Sequence, residues 1–250
     1  YRHGASVTRN LLAASLLAVF AWGMIELTGN LLQWVALSIA GYVTVSWLQG
    51  LSTRDKASFR MMFHSKALVF TTLAFPTIAF VSYGTSFWTA PFLIRVHGVT
   101  AADVGWYVGI GNAIGGLIGV VMGGMLADKM KLYFVNGRLM IGIVTILLTA
   151  PLILWMVKTE DLMTAYWLNF AYHIPASMWV SIAPATVNDL VMPRMRATAG
   201  AWFLLMNTII GLALGPYAMG RLSDMFIAGG ADSGAALSQA IAWGQCIFIL

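Results

Sequence analysis

The sequence predicts an all-α membrane protein, a polytopic bundle of transmembrane helices. Three observations carry that reading. Hydrophobic residues make up 60% of the 250 residues and charged ones only 9%, against about a quarter charged in soluble domains. The apolar residues gather in runs of the length that crosses about 30 Å of hydrocarbon. The basic residues fall in short clusters between those runs. A surface of this composition is solvated by lipid. Spanning strands would instead need short segments of alternating polarity.

Eight runs are expected, near 10–28, 30–50, 66–94, 102–126, 139–157, 162–188, 196–222 and 236–250. The first two form a leading helix pair within residues 1–50. The polar stretch "STRDKASFRMMFHSK" (52–66) follows, so 51–65 reads as a cytoplasmic linker and 66–250 as the bundle after it. The third run carries Pro76, where a kink is expected. The fourth opens with Thr100-Ala-Ala-Asp103, a capping-box pattern. The fifth is an unbroken apolar run. The sixth is expected to open at Thr159, with Glu160 and Asp161 in a first turn where the helix dipole favours negative charge. The seventh follows Pro193, a residue tolerated at the first helical position. The eighth stops inside an apolar run. With Tyr1 in place of an initial methionine, the chain reads as part of a longer protein, open at both ends and with its last helix truncated.

Orientation follows from the connections. With the N-terminus inside and the runs alternating, the inner side holds Arg2, Arg9, Arg54, Lys56, Arg60, Lys66, Lys129, Lys131, Arg138, Arg194 and Arg196. The outer side holds Arg95, Lys158 and Arg221. Eleven cations against three is a positive-inside bias, and a miscounted helix would scramble it. The pI of about 9.5 therefore reflects cytoplasmic loops and does not point to nucleic acid. The single cysteine, Cys246, excludes an intrachain disulfide and is expected to be a small packing residue. No metal-ligand cluster is visible, and no cofactor is called for.

Gly111, Gly115, Gly119 and Gly123 recur every fourth residue of the fourth run. One helix face is thereby left bare, and a neighbouring backbone can approach closely. That face serves either as a static packing surface or as one on which helices slide. The run ends in "GGMLADKMK" (123–131). Asp128 there lies near a helix C-terminus, where the dipole disfavours it. Another group should hold it, and the start of the seventh run, "MPRMRATAG" with Arg194 and Arg196, offers cations and free N–H groups. Asp189 is expected to pair with the same arginines.

The stretch "GGMLADKMK…GRL" resembles the cytoplasmic loop motif of the major facilitator superfamily: a glycine, three residues, an aspartate, then a basic residue. Lys131 and Leu132 depart from the fuller motif. "FRMMFHSKALVF", "SYGTSFWTAPFLIRVHG", "GNAIGGLIGVVMGGMLADK" and "NTIIGLALGPYAMGRLSD" resemble the C-terminal half of its spinster-like branch over about 60–250. The resemblance implies a major-facilitator-type six-helix bundle. Gly124 and Asp128 would form a cytoplasmic gate motif, with Lys129 and Arg138 as local basic partners and Arg196 across the gate. Residues 1–50 match either the end of an N-terminal bundle or an inserted pair.

Polar residues inside spans often line a water-filled path. Tyr166, Asn169, His173, Ser177 and Ser181 form one stripe on the sixth run. The stripe serves either interhelical hydrogen bonding or a cavity, and His173 is either a packed neutral ring or a proton relay. Tyr83, Trp88, Asn112 and Asn207 could converge with Asn169, His173 and Ser177 on a substrate path near the midplane.

The function expected is a secondary active transporter of a small organic or amphiphilic, lipid-like solute, working by alternating access. It is expected to be a monomer among membrane lipids of the plasma membrane, with proton coupling left open. The rivals are a non-transporting membrane scaffold or receptor, or an intramembrane enzyme. The enzyme would need paired catalytic groups at one depth, and no acid accompanies His173.

Overall fold

The structure is a computed structural model describing residues 7–249. Arg2, counted above among the inner cations, lies outside the described residues. All regular structure among them is helical. The chain divides into two compact units, Tyr1–Lys66 and Ala67–Leu250.

In the first unit, α1 (Val7–Thr28) and α2 (Leu31–Arg54) form a hairpin. Its turn is made by Gly29, whose φ of +72° suits a residue without a Cβ. Trp34 locks the hairpin, donating its indole N–H to Thr28 Oγ1 at 2.6 Å and meeting Phe20 edge-on. Ser38 donates to the Leu17 carbonyl. Ala21 and Trp34 alone are fully buried in this pair; the other apolar residues are half-buried or exposed. A short helix, α3 (Lys56–His64), follows inside the polar stretch, with Asp55 accepting from the Ser58 N–H as its N-cap.

The second unit starts with α4 (Lys66–His97), which runs through Pro76 and Pro91. Next come α5 (Ala101–Tyr133), α6 (Gly137–Met156) and α7 (Leu162–Asp189). Thr100 caps α5, accepting from the Asp103 N–H and donating its hydroxyl to the Asp103 carboxylate. The start of α7 differs from expectation. Asp161 is its N-cap and not a first-turn residue, because its carboxylate takes the Thr164 N–H at 2.7 Å and the Thr164 hydroxyl at 2.6 Å. Thr159 and Glu160 precede it outside the helix.

Pro193 opens a 3₁₀ turn to Met195, then α8 (Arg196–Met206) begins. A π-helical segment, Asn207–Ala213, separates it from α9 (Leu214–Ala228). Pro216 follows closely; a helical proline has no N–H and its ring crowds the carbonyl four residues back. A widened turn before it relieves that conflict. The chain ends in α10 (Ser233–Gly244), capped by Asp232, and a 3₁₀ segment to Ile249. Cys246 is exposed, so it is not a buried packing residue.

Among the described residues, six segments are long and apolar enough to cross a membrane: α1, α2, α4, α5, α6 and Pro193–Ala228. Eight were expected. The last segment is short and changes helix type at Gly244. The other exception, α7, carries the polar stripe, and its inner faces are covered by neighbouring helices. Its Tyr172 belongs to a buried core with Val81, Phe92, Ile153, Met156 and Met219.

The glycine face of α5 lies on α7. A Cβ on Gly123 would sit 2.7 Å from the Met178 Cα, one on Gly115 3.0 Å from the Phe170 carbonyl, and one on Gly119 on the Ile174 carbonyl. Only glycine permits this approach.

Candidate functional site

One end of the bundle gathers four charged side chains from three helices. The turn after α5 is tight: Gly137 donates to the Phe134 carbonyl, and a Cβ on Gly137 would lie 2.6 Å from the Lys131 nitrogen. The start of α6 is thereby held against the end of α5. Arg138 consequently reaches both acids. One terminal nitrogen donates to Asp128 Oδ1 at 2.7 Å. The other donates to Asp189 Oδ2 and, at 2.9 Å, to the Ala185 carbonyl on α7. Lys131, one turn beyond Asp128, donates to the same Asp189 oxygen.

Exposure grades the cluster. The Arg138 side chain is 16% exposed, whereas Asp128 is 68% exposed. Burial pushes the Asp189 carboxyl up, but the Lys131 hydrogen bond and the Arg138 and Lys131 charges outweigh it and hold it below the usual 3.8. Asp128, disfavoured by its own helix end, is compensated by the guanidinium.

Arg138 is thus the local partner of Asp128 that the motif resemblance implied, while the pairing expected across the gate is corrected. Arg196 does not hold Asp128; its Nε donates to the Asn188 carbonyl at 3.3 Å. Asp189 is held by Lys131 and Arg138, not by Arg194 or Arg196. The tight α5–α6 turn brings Arg138 in first. Lys129 is exposed with no ion pair among the described residues, and Gly124 packs near Ser181 Oγ.

The polar stripe faces α5. Asn169 donates to Asn112 Oδ1 at 2.9 Å. The His173 ring Nδ1 lies 3.0 Å from the Asn169 carbonyl. Ser181 donates to the Val120 carbonyl. Ser177 sits beside Gly116 and Gly119. Four candidate residues, Asn112, Asn169, His173 and Ser177, thus share one seam. Trp88 instead donates to the Pro216 carbonyl on α9 at 2.7 Å, and Tyr83 meets Trp179 edge-on. Asn207 is buried at the head of the π segment. Among the described residues, five buried amide oxygens have no hydrogen-bond partner: Asn169 Oδ1 and Asn207 Oδ1 here, and those of Asn10, Gln49 and Gln245 elsewhere.

A second polar group lies in the core, unforeseen from sequence. Thr89 donates to the Thr85 carbonyl at 2.7 Å and lies 3.3 Å from the Tyr172 hydroxyl. Gln245 reaches Thr85 Oγ1 at 3.4 Å. Thr85 and Thr89 are one turn apart on α4, which is the signal that could have found them. Among the described residues, no three of His, Cys, Asp and Glu gather as metal ligands.

Fold and site together define a multi-pass helical membrane protein with an acid–guanidinium cluster where α5, α6 and α7 meet. The chain is similar to an MFS-type efflux pump of Mycolicibacterium smegmatis, with 31% identity over 150 residues, covering 58% of this chain and 34% of that protein. It is 28% identical over 181 residues to human protein spinster homolog 3, covering 67% of this chain and 35% of that one. Drosophila melanogaster protein spinster is 22% identical over 182 residues, 69% and 30% of the two chains. The chain spans about a third of the length of these relatives.

Among solved structures, a bacterial homologue of the human lysosomal transporter spinster, inward-facing and unoccupied, superposes with a TM-score of 0.68. It has 21% identity, and the match covers 96% of this chain and 62% of that one. The inward-facing occupied form gives 0.66 at 23% identity, covering 86% and 54%. These likenesses show the fold. No family model matches the chain. The chain resembles the major facilitator superfamily, with relatives named as an MFS-type efflux pump and as spinster proteins, and it is an integral multi-pass membrane protein of that helical fold.

Proposed function

We propose that this chain is the C-terminal part of a secondary active transporter that moves a small organic or amphiphilic solute by alternating access. The observation that carries the reading is the Arg138 bridge between Asp128 and Asp189, which ties the ends of α5, α6 and α7. Relatives named as an efflux pump and as spinster proteins support it. In this reading the basic side, with 51–65, 127–138 and 190–196, faces the cytoplasm, and the protein works as a monomer in the plasma membrane. Gly124, Asp128, Lys129, Arg138 and Arg196 belong to the cytoplasmic gate. Tyr83, Trp88, Asn112, Asn169, His173, Ser177 and Asn207 border the substrate path. Three polar atoms along this path, the Tyr166 hydroxyl, Asn169 Oδ1 and Asn207 Oδ1, are buried without hydrogen-bond partners; this supports a path over pure packing, because such atoms cost free energy when left unmatched.

The test is solute uptake by the complete protein in proteoliposomes, with a lysolipid and an organic anion as probes and with and without a proton gradient. Saturable uptake that falls in Arg138→Ala supports the reading. Absence of uptake of any probe, with intact folding, favours a non-transporting scaffold.

A further inference from the structure

We infer that α3 and its flanks form a binding site for anionic phospholipid headgroups at the basic membrane face. The inference rests on α2 and α4 being membrane-spanning, and stands whether or not the protein transports. α2 ends at Arg54 and the next spanning helix starts at Lys66, so residues 55–65 stay at one membrane face.

The faces of α3 are sorted by its period. Ser58 and Met62, four apart, are buried. Lys56, Arg60 and His64, also at steps of four, form an exposed stripe. Phe59 and Phe63 lie between these two faces, with rings 4.9 Å apart, and Phe63 is 41% exposed. A helix that shows water a basic row beside an aromatic row fits the headgroup boundary, where rings enter the acyl edge and cations meet phosphates. Arg54 and Lys66, both exposed, flank α3 in the chain. The only acid in 54–66 is Asp55. Its carboxylate is engaged with the Ser58 N–H at 3.0 Å and the Ser58 hydroxyl at 2.5 Å, so it is turned to capping the helix. Four Lys and Arg side chains against one capped acid make a cluster of the size that attracts anionic lipid beside a spanning helix.

Each such cation favours an anionic surface by on the order of fivefold. The experiment is native mass spectrometry of the full chain purified in micelles containing equal mole fractions of phosphatidylglycerol and phosphatidylcholine. Retained phosphatidylglycerol should exceed phosphatidylcholine by roughly tenfold or more. The double variant Lys56→Gln/Arg60→Gln should remove most of that preference. Lys56→Arg/Arg60→Lys, which keeps the charge, should preserve it and shows that folding is intact. Lys158→Gln, on an exposed cation elsewhere, should leave it unchanged. Equal retention of the two lipids overturns the inference, as does a preference that survives the double glutamine variant. Displacement of the lipid by inorganic phosphate at equal concentration would identify a simple anion site and also overturn it.

Discussion

Arg138 sits 2.7 Å from Asp128 through one terminal nitrogen, and its other terminal nitrogen is committed to Asp189. One guanidinium therefore serves two carboxylates on two helices, a geometry that the planar fork of arginine allows and a lysine ammonium does not reproduce. Arg138→Lys should lower transport by the complete protein nearly as far as Arg138→Ala. Asp128→Asn should cost folding stability little, within about 1 kcal/mol, because that carboxylate is mostly exposed. Arg196→Ala should leave the Asp128 environment unchanged. Uptake rates and thermal unfolding of the four variants check this order; an Arg196→Ala phenotype matching Arg138→Ala would return the pairing to the seventh run.

The Asp189 contribution has a defined pH sense. Its folded carboxyl lies below the ordinary 3.8. A group shifted this way stabilises the fold above its unfolded value, and the contribution disappears as pH falls through the lower folded one. Wild type should unfold at a higher temperature than Asp189→Asn at neutral pH, and the gap should close below the usual carboxylate range. A gap that stays constant from neutral to strongly acid pH would remove the charge from the account.

The glycine face is graded by distance. Gly119→Ala and Gly123→Ala drive a methyl into the α7 backbone and should cost about 1–3 kcal/mol, as overpacking does. Gly124→Ala meets only an ordinary contact at 3.6 Å, and Gly105→Ala meets open space; both should be tolerated. Thermal unfolding in detergent measures all four, and equal losses across them would contradict the packing described.

Asn112 and Asn169 should behave as a pair. Each alanine substitution alone breaks the 2.9 Å bond, so the double variant should lose less than the sum. The coupling should be about 0.6–1.7 kcal/mol. If Asn169→Ala, His173→Ala and Ser177→Ala all leave uptake unchanged, the seam is structural only.

Membrane sidedness is testable in a Cys246→Ser background, since Cys246 is exposed. Met130→Cys should be shielded from an impermeant reagent applied to intact cells. Labelling from outside would reverse the orientation drawn from the cations.

The spans were legible because hydrocarbon thickness imposes a length that no other context demands. Thr100 was legible as a cap because its partner Asp103 is three residues away. The start of α7 was misread by three residues, since Thr159, Glu160 and Asp161 all suit a first turn and only side-chain geometry selects Asp161. Of the partners expected for Asp128, Arg138 holds it and Arg196 does not. Arg138 and Arg196 are both arginines at helix starts, and what separates them is how tightly Gly137 lets α6 fold back. Tyr172 and Gln245 meet Thr89 and Thr85 across long stretches of sequence, a proximity no local spacing encodes. The π segment depends on how the chain accommodates Pro216, and straight periodicity has no sign for it.

The bare glycine face left a choice between a slideway and a fixed contact, and its polar neighbours bear on it. A slideway needs a surface that looks alike after a displacement of one helical turn, about 5.4 Å. The α5–α7 interface instead has teeth at set heights. The Asn112 amide fits Asn169, and the Ser181 hydroxyl fits the Val120 carbonyl. Moving either helix by a turn would leave both teeth unmeshed. The two helices are keyed together like a shaft and hub, so a working stroke would carry them as one piece, with the joints at their ends.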